Sequence, residues 1–202
     1  MTGMLADGAR VLDVGTGTGR FSLGASAKTS LAVGVDASLK MISRAALKSS
    51  ITSQRPRVSF LVGEAARLPF RDRSFDAVIS VKLLSHYVEI DPYISEMARV
   101  LRPSGLLIVD TTHRLGRAYE KIGLRTPIQS YQNYHHTFSD VALAMRKYSV
   151  EPSHRSTYSV LPATLTHLML CRHPRLVPNA VLRRLFDTKV GLLSFVEGIK
   201  AG

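Results

Sequence analysis

Tryptophan is missing from the 202 residues, and cysteine occurs once, at Cys171. A lone thiol excludes an intramolecular disulfide and fits a reducing compartment. No apolar run approaches the roughly 20 residues needed to span a bilayer. The opening residues, Met1 to Gly8, provide neither a basic start nor an apolar stretch. A signal peptide is therefore not expected, and the cytoplasm is the expected location. Repeats, low-complexity tracts and long linkers do not occur either. One domain over residues 1–202 is the expectation, at a length sufficient to bury a full sheet between helices.

Acidic residues are scarce in the second half. Residues 111–202 hold 13 Lys/Arg against 5 Asp/Glu and six of the seven histidines, whereas residues 1–110 hold 14 against 10. The net charge is +12. Such a balance suits nucleic acid, an anionic membrane surface or an acidic substrate. The basic residues are scattered and form no block of five or six, which equally suits an ordinary solvated surface.

What the chain does contain is an alternation of short apolar runs with helical patterns, the signature of βαβ units and a parallel sheet. Strands are predicted at Val11–Val14, Leu31–Val35, Val58–Val62, Ala77–Val81 and Leu106–Val109. A helix is expected over Phe21–Lys28. Ser38 is placed to cap a second helix with Leu39, Ile42, Ala46 and Leu47 on one face. Asp91-Pro92 reads as a helix start with the carboxylate at the cap, followed by a buried stripe of Ile94, Met97, Ala98 and Leu101. Arg102-Pro-Ser-Gly105 stops that helix. Beyond Asp110 the pattern loosens. A helix is expected at Ser139–Lys147, a strand near Tyr158–Leu161, helices at Leu165–Leu170 and Val181–Phe186, and a last strand at Leu192–Ile199. The fold class is α/β, a doubly wound, mostly parallel Rossmann-like sheet of about seven strands with helices on both faces.

Between the first strand and the first helix lies Asp13-Val-Gly15-Thr-Gly17-Thr-Gly19. Glycines there let the backbone turn sharply and approach a ligand, although glycine also serves plain turns. A dinucleotide fold places G-x-G-x-x-G against a pyrophosphate. This loop is G-x-G-x-G, with an acid two residues before the first glycine. That acid would repel a pyrophosphate and would suit a ligand carrying an ammonium and a sulfonium. Asp36, ending the second strand, could accept bonds from two ribose hydroxyls or cap the following helix; both readings stay open on the residues alone.

Val11 to Arg20 resembles motif I of class I S-adenosylmethionine-dependent methyltransferases, and Gly34-Val-Asp36 resembles their acidic segment after motif I. Gly63-Glu-Ala-Ala-Arg-Leu-Pro-Phe70 with Ser74 to Ser80 resembles the adenine loop and fourth strand. Glu96 to Gly105 resembles the helix and turn before strand five. Taken in order, the four cover residues 10–110 and look like the group typified by ubiquinone and menaquinone biosynthesis methyltransferases. The resemblance implies S-adenosylmethionine as cofactor. Gly15, Gly17 and Gly19 would pass under its methionine part, and Asp13 would reach the amino group directly or through water. Asp36 would hold the ribose, and Glu64 the adenine amino group, with the Ala65 amide near the ring. Ser80 and Lys82 would border the methionine end and the acceptor pocket. Residues 111–190 would form the substrate segment, and 191–202 the last strand.

Three departures stand out. Glu64 occupies a position where aspartate is commoner, and Ser104 replaces the first of two usual glycines. Only nine residues precede the first strand, where relatives carry one or two helices covering the site. That cover would come from residues preceding a late start, from a partner or from a second copy.

Methyl transfer is an in-line displacement that needs positioning and desolvation more than a fixed catalytic side chain. His86 is the candidate base or acceptor contact, because Leu84-Ser-His-Tyr87 borders the pocket in relatives; a packing or surface histidine is the plainer reading. His113, His135 and His136 are weaker candidates, and two adjacent histidines without a third ligand make no metal site. Tyr119, Tyr131, Tyr134, Phe138 and Tyr148 would either line an apolar acceptor pocket or pack a lid.

Three functions follow: methylation of a small-molecule or lipid-like acceptor, methylation of RNA (tRNA), or cofactor binding without catalysis. Two RNA chemistries are disfavoured. Ser80-Val-Lys-Leu83 lacks the Asn/Asp-Pro-Pro-aromatic segment of base-amino methylation, and Cys171 lies in no context for cytosine C5 attack.

Overall fold

The computed structural model describes residues 7–26, 29–51, 57–112, 134, 136–158 and 193–202. Seven strands of these residues share one sheet. They are β1 (Arg10–Val14), β2 (Leu31–Asp36), β3 (Val58–Val62), β4 (Phe75–Ser80), β5 (Leu101–Thr112), β6 (Val150–Tyr158) and β7 (Leu193–Lys200). The helices are α1 (Arg20–Ala25), α2 (Leu39–Ile51), α3 (Asp91–Val100) and α4 (Phe138–Lys147), with a short 3-10 turn at Leu84–His86.

The strand order is β3-β2-β1-β4-β5-β7-β6. Strands β1 to β5 pair in parallel, while β7 runs antiparallel to both β5 and β6. Order reverses between β1 and β4, and a crevice forms beyond the carboxyl ends of strands on either side of such a switch point. The glycine loop, Asp36, Lys82 and Asp110 all stand at those ends.

Both faces of the sheet are covered, so its central strands are apolar throughout. Alternation along β1 sends Leu12 and Val14 into one core with Ile94, Met97, Val141 and Met145 of α3 and α4. Val11 points the other way and joins Ala25, Ala77, Ile79 and Ile108. Each fully buried Leu or Ile here contributes about 1.5–3 kcal/mol relative to exposure.

The expected mostly parallel seven-stranded sheet is observed, and the differences are local. In α2 the buried stripe is Ile42, Ala45 and Ser49; Leu39, Ala46 and Leu47 face outward. The apolar residues of that helix outnumber what its one covered face can take. Asp91 does not cap α3. Ile90 occupies the cap, and Asp91 in the first turn pairs with Lys147 of α4.

Leu101, expected at the end of the helical stripe, is buried but begins β5. That strand runs through the Arg102–Gly105 turn, with Ser104 at φ 62° and a register shift opposite Phe75–Ala77. Helix α4 is capped by Thr137, whose hydroxyl accepts from Asp140 N–H while the Asp140 carboxylate accepts from Thr137 N–H. Strand β6 ends where the sixth strand was expected to begin, at Tyr158. Its Pro152 and mixed polar sequence hide it from a hydrophobicity reading. The helices expected at 165–170 and 181–186 lie outside the described residues, as does Cys171.

Candidate functional site

The glycine loop is pinned from two sides. Gly15 and Thr16 N–H donate to the Val35 carbonyl at 2.8 and 2.9 Å, tying the loop to the end of β2. Beneath it, Asp13 Oδ2 accepts the Thr16 hydroxyl at 2.7 Å, the Ser22 hydroxyl at 2.8 Å and the Ser22 N–H at 3.1 Å. Asp13 is only 2% exposed. Burial pushes its carboxyl up from the usual range, against the pull of those three donors. The structure therefore places Asp13 under the loop, bonded to the loop and to α1.

Gly15, Gly17 and Gly19 all have positive φ, at 74°, 55° and 79°. Two of them are required for different reasons. A Cβ on Gly19 would come within 2.7 Å of the Phe60 ring and 3.0 Å of Ala45, so this glycine serves close packing. A Cβ on Gly17 would meet nothing within 4 Å. The protein leaves the space over Gly17 open while holding its backbone in a conformation only glycine takes without strain.

Asp36 bridges the two neighbouring segments. Its Oδ2 accepts from Gly17 N–H at 2.8 Å and its Oδ1 from Ser38 N–H at 2.9 Å. The cap of α2 is shared, since Ser38 Oγ accepts from Met41 N–H at 3.3 Å. Each carboxylate oxygen keeps a second lone pair, so hydroxyl donors and the observed amides are compatible. The segment after β3 turns back at Gly63, whose N–H donates to the Asp36 carbonyl at 3.1 Å. Glu64 beyond it is exposed, and Ala65 is buried.

The other side of the switch point is built on β4 and β5. Ser80 is fully buried and donates its hydroxyl to the Val14 carbonyl at 3.1 Å, joining β4 to β1. Lys82 takes φ 62°, and its N–H is held by Asp110 Oδ1 at 2.8 Å. Holding a non-glycine residue there costs about 1–2 kcal/mol. Asp110 is a functional candidate that sequence reasoning passed over; an acid directly after the apolar run Leu106–Val109 was its signal. Burial pushes its carboxyl up to about 6, opposed by the Lys82 amide and charge and by His86. A group tuned to that range exchanges protons near neutrality.

His86 closes the 3-10 turn and is exposed, near enough to Asp110 for their charges to interact. Tyr134 N–H donates to the Ser85 carbonyl at 2.8 Å, and His136 Nε2 bonds the Tyr87 carbonyl at 2.8 Å. A small cleft with room for about one water, ≈ 10 Å³, is lined by Leu84, Ser85, Asp110, Thr111, Tyr134 and His136. Phe138 and Tyr148, by contrast, pack on the core. His113, His135, Tyr119 and Tyr131 lie outside the described residues. No cluster of three His, Cys, Asp or Glu suited to a metal occurs among the described residues, and no helix among them is long and apolar enough to cross a membrane.

The site residues named from sequence thus group near the carboxyl ends of the strands, with Asp13, Gly15, Gly17, Gly19, Asp36, Glu64 and Ala65 on the β1–β3 side of the switch point and Ser80, Lys82 and His86 on the β4–β5 side. Residues 12–109 match the family model described as a methyltransferase domain. The demethylmenaquinone methyltransferase of Roseiflexus castenholzii is 44% identical over 98 residues, covering 48% of this chain and 40% of that one. A phosphatidylethanolamine N-methyltransferase of Cereibacter sphaeroides is 36% identical over 104 residues, covering 52% and 51%. The chain thus spans about half or less of the length of the curated relatives it matches. Among solved structures, a S-adenosylmethionine-dependent methyltransferase from Methanosarcina mazei superposes with a TM-score of 0.74 at 19% identity, over 98% of this chain and 95% of the other. With the motifs, the sheet order and these likenesses in agreement, residues 12–109 form a methyltransferase domain of the class I S-adenosylmethionine-dependent type.

Proposed function

We propose that the chain transfers the methyl group of S-adenosylmethionine to a small-molecule or lipid-like acceptor. The observation that carries this reading is the open space over Gly17, framed by Asp36 at the switch point of the sheet. When bound there, S-adenosylmethionine supplies an electrophilic methyl on a sulfonium, and the protein has only to orient the partners and exclude water.

In this reading the Gly15–Gly19 backbone lies under the methionine part, and Asp36 takes the ribose hydroxyls on its remaining lone pairs. Asp13 fixes the loop from beneath through Thr16 and Ser22. Glu64 and the Ala65 amide address the adenine. Ser80 sets the spacing of β4 from β1, and Lys82 turns the chain toward the acceptor side. An acceptor O–H or N–H that gains a methyl and ends neutral sheds a proton. Asp110 would hold it, with Tyr134 and His136 lining the same cleft and His86 near enough for its charge to act on Asp110. Residues 10–110 hold the cofactor and carry the Lys82–Asp110 edge of the acceptor side, and 111–190 choose the acceptor.

Two findings favour a lipid-like acceptor over RNA. The matched relatives named above act on a quinone precursor or a phospholipid by name, and Ser80-Val-Lys-Leu83 carries no base-amino methylation motif. The test has two parts. Calorimetry with S-adenosylhomocysteine on folded protein should give a micromolar Kd, on the order of −8 kcal/mol. Transfer from methyl-tritiated cofactor into fractionated cell extract should put label in lipid or small-molecule fractions. Absence of binding heat rejects the cofactor reading; label confined to RNA rejects the acceptor class.

A further inference from the structure

Helix α3 carries Tyr93, Glu96 and Arg99 three residues apart, on one face. Glu96 and Arg99 are directed at the segment that follows β3. Glu96 Oε2 accepts from Leu68 N–H at 2.7 Å. Arg99 donates to the Leu68 carbonyl at 3.0 Å, the Phe70 carbonyl at 2.8 Å and the Asp72 carboxylate at 2.7 Å. It also grips both Glu96 oxygens, at 2.7 and 2.8 Å. One turn earlier, the Tyr93 ring stacks on Tyr87 with centroids 4.1 Å apart. Its hydroxyl is pushed up to about 12, mainly by burial, with Tyr87 and then the Glu64 charge adding to the effect.

The bonds of Glu96 and Arg99 span the segment from Leu68 to Asp72, and the Glu64 charge is felt by Tyr93 one turn earlier on the helix. The forked Arg–carboxylate pair is the geometry that fixes both partners in place. Its bonds to the segment go mostly to main-chain atoms of Leu68 and Phe70, so they set where the backbone sits whatever side chains it carries. Leu68 and Ala65 lie in the same core cluster. The Glu64 side chain is exposed, and no hydrogen bond among the described residues holds it. Its position is inherited from the backbone.

We propose that the Glu96–Arg99 pair is a positioning device for the base-binding end of the cofactor site, holding the 64–70 backbone so that Glu64 and the Ala65 amide face the adenine. The inference rests on the assignment of Glu64 and Ala65 to the adenine given under Proposed function. It predicts base selectivity controlled from a helix that does not itself reach the ligand.

The test compares Kd for S-adenosylhomocysteine and S-inosylhomocysteine, in which the adenine amino group is replaced by a carbonyl. The full chain is used as wild type, Glu64→Ala, Glu96→Gln and Arg99→Lys; the last two keep size and polarity should Arg99→Ala fail to fold. Wild type is expected to prefer the adenosyl ligand by roughly tenfold, the scale of one hydrogen bond to a charged group. Glu64→Ala should abolish the preference. Glu96→Gln and Arg99→Lys should each remove most of it by weakening the adenosyl ligand alone. If either substitution weakens both ligands equally, or leaves the ratio at the wild-type value, the pair is structural and the proposal falls. A wild type that binds both ligands equally, with Glu64→Ala no different, overturns the adenine assignment and the inference together.

Discussion

The two sides of the crevice are built from the same material to different ends. On each, a parallel strand carries an aspartate at or near its carboxyl end that accepts a backbone N–H from the loop after β1 or β4. Asp36 uses both oxygens on amides, one from the glycine loop and one from the start of α2. Asp110 is 8% exposed, receives the Lys82 amide on one oxygen and is pushed up to about 6 by burial. The first carboxylate is a strut whose charge is matched by donors that stay in place. The second is held in surroundings that disfavour its charge, a placement that costs stability and suits proton exchange.

The largest expected effect comes from filling the open space on the cofactor side. Gly17→Val puts a branched side chain where nothing now lies within 4 Å, at φ 55°. S-adenosylhomocysteine affinity should fall at least about 100-fold, near 3 kcal/mol, while the strained φ lowers stability by about 1–2 kcal/mol. Calorimetry on folded protein decides. Unchanged affinity would mean that the loop is only a turn.

On the other side, the raised Asp110 carboxyl fixes the sign of a pH effect. Its ordinary value is 3.8 and its value here about 6, so between these the folded state keeps a proton that the unfolded chain releases. That contribution is complete below about pH 4 and is lost as pH rises through 6, up to about 3 kcal/mol in all. Asp110→Asn cannot titrate and should be more stable than wild type at pH 8 by up to about that amount, less its weaker bond to the Lys82 amide. The gain should vanish by pH 4. Urea unfolding across that range checks it; parallel curves for the two proteins would remove Asp110 from its role as the tuned group.

The cofactor side was legible in the sequence because its signals are local. Three glycines and two acids fall within a few residues of strand ends, and short continuous apolar runs mark the strands themselves. The acceptor side assembles from distant pieces. Asp110 meets Lys82, 28 residues earlier, across a β4–β5 register that no pattern announces. Tyr134 reaches Ser85 through a backbone bond, to which its side chain gives no clue. Misread details had competing physics behind them. Asp91 looks like a cap but pairs with Lys147, and Leu39 and Leu47 look like core although α2 buries Ala45 instead. Asp13 was expected to reach the cofactor's amino group directly or through water and Ser80 to border the acceptor pocket; alongside those roles, Asp13 bonds Thr16 and Ser22, and the Ser80 hydroxyl bonds the Val14 carbonyl.

A smaller effect tests whether Asp36 is strut or ligand. Asp36→Ala leaves the Gly17 and Ser38 amides without their acceptor and should cost about 1–2 kcal/mol of stability. If Asp36 also takes the ribose hydroxyls, S-adenosylhomocysteine binding should weaken by a further 1.5–3 kcal/mol or so. The two losses separate by measuring Tm and Kd on the same samples. A variant that melts earlier yet binds at wild-type affinity would make Asp36 a cap alone.

The smallest expected change is the response to salt, and it bears on the basic second half. Its charge is partly committed to the fold. Arg146 lies 3.4 Å from the Glu151 carboxylate, Lys147 pairs with Asp91 and stands over the Tyr148 ring, and Lys200 donates to the Ala98 carbonyl at 2.8 Å. Cations engaged in this way make poor phosphate clamps, since a nucleic acid would first have to displace their partners. An RNA-binding surface with six to ten phosphate contacts would lose about 10³–10⁵ in affinity between 50 and 200 mM salt through counterion release. Transfer to an apolar acceptor gives no such slope. Label transfer from tritiated cofactor into the lipid fraction should therefore change less than about twofold over that range, whereas a steep fall would restore the nucleic-acid reading. Tyr134→Ala should lower transfer at every salt concentration alike, with cofactor Kd unchanged, because the cleft it lines lies on the β4–β5 side and the cofactor cradle on the other.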